Sequence, residues 1–147
     1  MTPQQIALVR SSTDQILRES ARVTAVFYRR LFTDSPELRS LFPDDLAQLQ
    51  QKFADELRFI ADTIGDFARF TERIKTLGAR HVGYGARARH YQLARRALFA
   101  AFTEVLGPQW TPEVDGAWHA AYDIVTELMM LGGAPKPPAP PSIRSHR

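Results

Sequence analysis

Phe70-Thr71-Glu72-Arg73-Ile74-Lys75-Thr76-Leu77-Gly78-Ala79-Arg80-His81-Val82-Gly83-Tyr84-Gly85 decides the reading of this chain. Phe70, Ile74, Leu77 and His81 are spaced 4, 3 and 4, which puts all four on one face of one helix. The spacing predicts a helix from about Phe67 to Arg80, with Gly83 and Gly85 unwinding the chain after His81. An imidazole that ends an apolar stripe needs a partner, because a buried ring nitrogen without one is costly. Two partners satisfy it. One is a backbone carbonyl, which makes His81 an ordinary core histidine. The other is a metal or a metal-bearing cofactor.

Helical patterning extends outward on both sides. Toward the N-terminus, Leu46, Leu49, Phe53, Leu57, Ile60 and Ile64 run at 3, 4, 4, 3, 4, until Gly65-Asp66 breaks the stripe. Thr2 and Pro3 open a first helix with Ile6, Val9, Thr13 and Ile16 inward. A second runs from about Ser20 to Phe32, with Val23, Phe27 and Leu31 on one side. Asp34-Ser35-Pro36-Glu37 reads as a stop and a fresh start, with Ser35 capping a short helix that leads to Leu41, Phe42 and Pro43. Toward the C-terminus, a long helix from about Ala88 to Leu106 turns Tyr91, Ala94, Leu98, Ala101 and Val105 inward. Gly107-Pro108 ends it. Thr111-Pro112-Glu113 starts a last helix with Val114, Ala117, Ala121, Ile124 and Leu128 inward, and Gly132-Gly133 stops it. No segment alternates as a strand does. The fold expected is all-α, seven to eight helices around one core, with connections too irregular for a four-helix bundle.

Composition narrows the chemistry. The chain has 147 residues, 44% hydrophobic and 24% charged, which suits one globular domain. It has no cysteine, which excludes disulfides, thiolate zinc sites, iron–sulfur clusters and a cysteine nucleophile. The net charge of +3 is too modest to imply nucleic acid. Arg80, Arg87, Arg89, Arg95 and Arg96 lack the interleaved aromatics or docking motif of a nucleic-acid module. The first residues show neither a basic nor an apolar leader region, and no run approaches membrane-spanning length, so a cytoplasmic protein is expected. Residues 1–133 form the expected domain. Residues 134–147 hold five of the ten prolines and one aliphatic residue, Ile143, and are expected to be a disordered tail.

Three stretches together resemble the single-domain globins of bacteria, a group similar to the globin half of flavohaemoglobins and to neuroglobin-like proteins. The first is Phe27-Tyr28-Arg29-Arg30-Leu31-Phe32 with Pro36-Glu37-Leu38-Arg39-Ser40-Leu41-Phe42-Pro43. The second is Leu77 to Gly85 with His90-Tyr91. The third is Leu106-Gly107-Pro108-Gln109-Trp110-Thr111-Pro112-Glu113 with Ala117-Trp118 and Ala121-Tyr122. The resemblance covers about residues 4–131.

It implies a globin fold around haem b, with His81 as the proximal iron ligand, Phe42 stacked on the haem and Leu77 on the porphyrin face. It puts Tyr28 on the distal side as a hydrogen-bond donor to bound gas, or else as a packed ring with its hydroxyl on a carbonyl or water. Counting back from His81, Leu49 falls where the family carries a distal His or Gln. Phe53 falls one turn later, and Gln48 or Gln50 would take the distal place after a one-residue shift. Leu49 neither donates a hydrogen bond nor binds iron. The resemblance has Tyr91 hydrogen-bonded to the proximal imidazole, while the carboxylate expected late in the last helix falls at Gly133, with Glu127 out of register. Lys52 and Arg80 are candidates for the haem propionates or plain surface charges. His90 reads as touching the haem edge or solvent, and His119 and His146 as surface. The implied function is reversible binding of O2, with CO and NO as further ligands, for oxygen transport or storage. The alternatives are a nitric oxide dioxygenase, a peroxidase-type enzyme or a gas sensor. Sustained turnover would need an external reductase, and the protein would be a monomer or homodimer.

Overall fold

The computed structural model describes residues 1–83 and 87–133. Six α-helices lie within them: α1 Pro3–Arg18, α2 Ser20–Asp34, α3 Ala47–Thr63, α4 Phe67–Gly83, α5 Ala88–Leu106 and α6 Pro112–Gly133. Short 3₁₀ helices, Pro36–Leu41 and Gly107–Gln109, follow α2 and α5, and no strand occurs among the described residues. No described helix is long and apolar enough to cross a membrane. Tyr84, Gly85, the tail from residue 134 and His146 lie outside the described residues.

Local chemistry sets several boundaries as expected. Thr2 and Gln5 cap α1 reciprocally: the Gln5 N–H donates to Thr2 Oγ1 at 3.1 Å and the Thr2 N–H to Gln5 Oε1 at 2.9 Å. Gly107, at φ 54°, closes α5 in a conformation that L side chains avoid. Ser35 differs from expectation. It stands buried at the cap position of the 3₁₀ segment, but its side chain makes no capping bond.

The main core joins α1, α2, α5 and α6 through Val9, Ile16, Val23, Phe102, Ala117 and Trp118. The Trp118 indole N–H donates to Ser12 Oγ at 2.8 Å, so its one polar atom is satisfied inside the core. A second cluster, Ile60, Phe70, Ile74, Tyr91, Leu128 and Met129, lies under α4. Phe70 and Ile74 are 2% and 0% exposed, so the stripe leading to His81 faces inward as its spacing requires.

The long helices depart from a single-stripe reading. In α5 the buried residues are Tyr91, Ala97, Phe99, Ala101, Phe102 and Leu106, whereas Ala94, Leu98 and Val105 are only half-buried. The reason is that α5 packs on α2, α1 and α6 at once, so its buried surface is wider than one face. In α6, Trp118, Thr126 and Met129 join the expected residues, and Ile124 is half-buried.

Gly132 and Gly133 are also not a simple stop. Both lie within α6, where it crosses α4 at backbone contact. A Cβ on Gly132 would overlap the Lys75 carbonyl, and one on Gly78 would overlap the Met129 carbonyl. The absence of side chains at this crossing sets the position of α4, and therefore of His81.

Candidate functional site

The α4 helix runs past Arg80 to Gly83, so His81 sits inside its last turn. The His81 ring is half-buried, with Nδ1 2.9 Å from the Leu77 carbonyl oxygen. A carbonyl only accepts, so Nδ1 carries the hydrogen and donates. The Nε2 lone pair is left without a partner among the described residues. Both partners considered for this histidine are thus compatible: the carbonyl holds one nitrogen, and the other is available.

Tyr91, from α5, brings its ring to 6.5 Å from the His81 ring, centroid to centroid. Its hydroxyl is buried without a hydrogen-bond partner among the described residues, and burial raises its pKa. The hydrogen bond to the imidazole that the resemblance implies is not made, because Leu77 already accepts from Nδ1. Tyr91 is fixed from behind instead, where its backbone carbonyl accepts the Tyr122 hydroxyl at 2.7 Å. Gly133 packs against Val82, and Glu127 is exposed, so neither brings a carboxylate here.

The residues expected on the distal side form an aromatic cluster. Tyr28 meets Phe27 edge-on at 5.0 Å, stacks with Phe32 at 5.7 Å and meets Phe42 edge-on at 5.7 Å. Phe53 extends the cluster from α3, stacked on Phe27 at 6.4 Å. The Tyr28 hydroxyl has no hydrogen-bond partner among the described residues, and burial raises its pKa. The group is therefore a protonated phenol with a donor to give.

Leu49 and Gln50 are half-buried and Gln48 is exposed. Leu49 continues the Phe53–Leu57 row at spacings of four. Lys52 and Arg80 are exposed and carry no ion pair with the described residues. The Arg87 N–H donates to His90 Nδ1 at 2.8 Å, so His90 helps to cap α5 and keeps only Nε2 for other contacts. Its pKa is lowered, first by desolvation, then by Arg89 and Arg87.

Two contributors escaped the sequence reading. Phe32 packs on both Tyr28 and Phe42, and its signal was present, four residues after Tyr28 on the same helix face. Arg39 sends its guanidinium to the carbonyls of Phe42, Pro43 and Asp44 at 3.3, 2.9 and 3.0 Å. It locks the turn that presents Phe42, a role without any periodic pattern to reveal it. His119, expected at the surface, is half-buried with its ring edge-on to Phe99 at 4.3 Å.

The Globin family profile matches residues 25–129. The chain is a globin. It is 32% identical over 133 residues to the flavohemoprotein of Bordetella pertussis, covering 88% of this chain and 33% of that protein. The flavohemoprotein of Bacillus subtilis is 26% identical over 128 residues, with 85% and 32% covered. This globin therefore spans about a third of the length of the curated relatives it matches.

Among solved structures it is similar to an engineered carbene transferase from Rhodothermus marinus, described as a candidate nitric oxide dioxygenase. That match has TM-score 0.81 and 32% identity and covers 90% of this chain and 93% of that one. A bacterial globin from Campylobacter jejuni superposes with TM-score 0.80 at 20% identity, covering 90% and 96%, and speaks for the fold alone.

Membership of the globins implies haem, and the residues fit one. Among the described residues no group of three His, Asp or Glu side chains could hold a bare metal ion. A lone imidazole suits a metal whose other ligands arrive with a cofactor. Leu77 lies one turn before His81 and the Tyr91 ring beside it, while Phe42, Phe53 and Tyr28 belong to the aromatic cluster around Phe27; the Tyr91 and Tyr28 hydroxyls have no hydrogen-bond partner among the described residues.

Proposed function

We propose that this globin carries haem b on His81 and reversibly binds O2, with CO and NO as further ligands, for oxygen transport or storage in the cytoplasm. The observation that carries the reading is the His81 ring, held at Nδ1 by Leu77 with Nε2 free. Haem, when bound, would supply an iron that takes the His81 nitrogen and one diatomic gas. The chain supplies the rest. The Leu77 carbonyl fixes the tautomer and orients the ring. Phe42, Phe53 and Leu77 would keep water from the cofactor, and Lys52 would meet its propionates. Tyr28 would donate its phenolic hydrogen to the gas, and Leu49, with no donor and no ligand atom, would not compete for the iron. His90 offers only Nε2 toward the haem edge.

Absorption spectra test the assignment, with wild type beside His81→Ala in ferric, ferrous and CO-bound forms. A stable Soret band with a pentacoordinate ferrous form, changed or lost without His81, is the expected result. A six-coordinate ferrous spectrum, or no haem uptake, would overturn it.

A second reading is nitric oxide dioxygenase activity. It is favoured by the relatives named flavohemoproteins and by the Rhodothermus neighbour's description. Sustained turnover would draw electrons from a separate reductase. NO consumption that persists over many turnovers only when a flavin reductase is added would support this reading.

A further inference from the structure

A half-buried ion pair joins the helix of Phe53 to the helix of His81. Arg73 Nη2, on α4, donates to Glu56 Oε1, on α3, at 2.6 Å. The Arg73 guanidinium also lies over the Phe59 ring, 5.1 Å from its centroid. Glu56 and Phe59 are three residues apart, so one face of α3 holds one arginine of α4 by charge and by ring. Among the described residues no other hydrogen bond or ion pair links these two helices.

The pair stands on the rows that carry the candidate site. Leu49, Phe53, Glu56 and Ile60 are spaced 4, 3 and 4 along α3, and Arg73, Leu77 and His81 are spaced 4 and 4 along α4. Going away from the pair, Phe53 and Leu77 come one turn on, and Leu49 and His81 two turns on. Behind the pair, α3 ends at Thr63 and α4 begins at Phe67. On its other side α4 meets α6 at backbone contact. The position of α3 against α4 is therefore left to this pair and to the apolar cluster of Ile60 with Phe70 and Ile74.

Burial gives the pair its weight. The Glu56 and Arg73 side chains are 21% and 38% exposed, against 54% and 50% for Asp14 and Arg58, which tie the same α3 to α1. Glu56 Oε2 and Arg73 Nε are shut from solvent without a partner among the described residues. Losing either residue would strand a charge that water does not fully reach, which costs more than losing an exposed pair.

We propose that Glu56 and Arg73 are positioning residues whose pair holds α3 against α4 and thereby sets the rate at which haem is lost. The inference rests on the haem reading above. Neither residue touches iron or gas, so the pair governs retention of the cofactor and not its ligand chemistry.

The test is transfer of ferric haem from the loaded protein to an acceptor globin in excess. Glu56→Gln and Arg73→Gln should each speed transfer by about tenfold, the loss of one charge-assisted hydrogen bond. The double variant should be no faster than either single one, because both remove the same interaction. Exchanging the charges, Glu56→Arg with Arg73→Glu, should recover slow transfer. Asp14→Asn, which breaks the α3–α1 pair, should leave the rate unchanged. A second readout needs no haem. The chain has no cysteine, so spin labels on Gln51→Cys and Ala79→Cys report the α3–α4 distance alone. That distance should lengthen or broaden in haem-free Glu56→Gln. Unchanged transfer in the single variants, additive effects in the double variant, equal acceleration by Asp14→Asn, or an unaltered label distance would each overturn the positioning role while leaving the haem reading standing. No haem uptake by the wild type would overturn both.

Discussion

Gly78 lies against the backbone carbonyl of Met129 so closely that no side chain fits between α4 and α6. His81 follows three residues later on the same helix. Gly78→Ala therefore forces the helices apart rather than filling a space. Overpacking of this kind costs about 1–3 kcal/mol, and a clash with backbone sits at the upper end because a carbonyl has no rotamer to change. Urea unfolding should show that loss, and the His81 imidazole should move with α4. Unchanged stability would mean that α4 and α6 do not cross at backbone contact.

The Tyr91 hydroxyl makes an opposite prediction for two states of one protein. Buried and without a partner among the described residues, it is a destabilising group worth about 1–3 kcal/mol if nothing satisfies it. Tyr91→Phe should leave the haem-free protein as stable as wild type or more so. If haem brings the hydroxyl a partner, the same change should weaken haem retention. Thermal unfolding with and without haem, beside haem transfer to an acceptor globin, separates the two effects. A loss of stability in the haem-free protein would show that the hydroxyl is already satisfied.

The contrast between His81 and its surroundings shows what a linear sequence carries. The 4-3-4 spacing from Phe70 to His81 placed the imidazole at the end of a buried face, since periodicity reports a helix that is buried on one side. It failed for Ala94, Leu98 and Val105, because α5 is enclosed by three helices and has no single inward face. Gly132 and Gly133 look the same to the eye whether a glycine ends a helix or admits a neighbouring backbone. Only the packed arrangement distinguishes the two. Arg39, reaching three carbonyls in one turn, depends on a chain path that no local pattern encodes.

His90 gives the fold a pH dependence of known sign. An unfolded imidazole titrates near 6.5. In the fold its pKa lies lower, because desolvation and the neighbouring Arg89 and Arg87 outweigh the pull of Glu37. Protonation would also break the bond that Nδ1 accepts from the Arg87 N–H. The folded state thus binds the proton less readily. The contribution is present above the unfolded value and is lost as pH falls through the folded one. An NMR titration should find the His90 midpoint below 6.5. His90→Gln should reduce the difference in stability measured around pH 5 and around pH 8. A midpoint at or above the unfolded value would reverse the sign.

Tyr28 is the sharpest test of the distal side. Its ring is held by Phe27, Phe32 and Phe42, and phenylalanine preserves all three contacts, so Tyr28→Phe removes a hydroxyl and little else. The hydroxyl has no protein partner among the described residues, and burial keeps it protonated, so its hydrogen is free to meet a gas. One such bond is worth roughly 1–2 kcal/mol, and its loss should speed O2 release by about tenfold or more. CO carries less negative charge on its outer atom and should respond less. Stopped-flow displacement of O2 by CO measures the rate directly, and the melting temperature of the variant reports whether the cluster survived. An unchanged O2 off-rate in a variant that melts normally would remove Tyr28 from the ligand site. It would leave the phenol as a packed ring whose hydroxyl faces water.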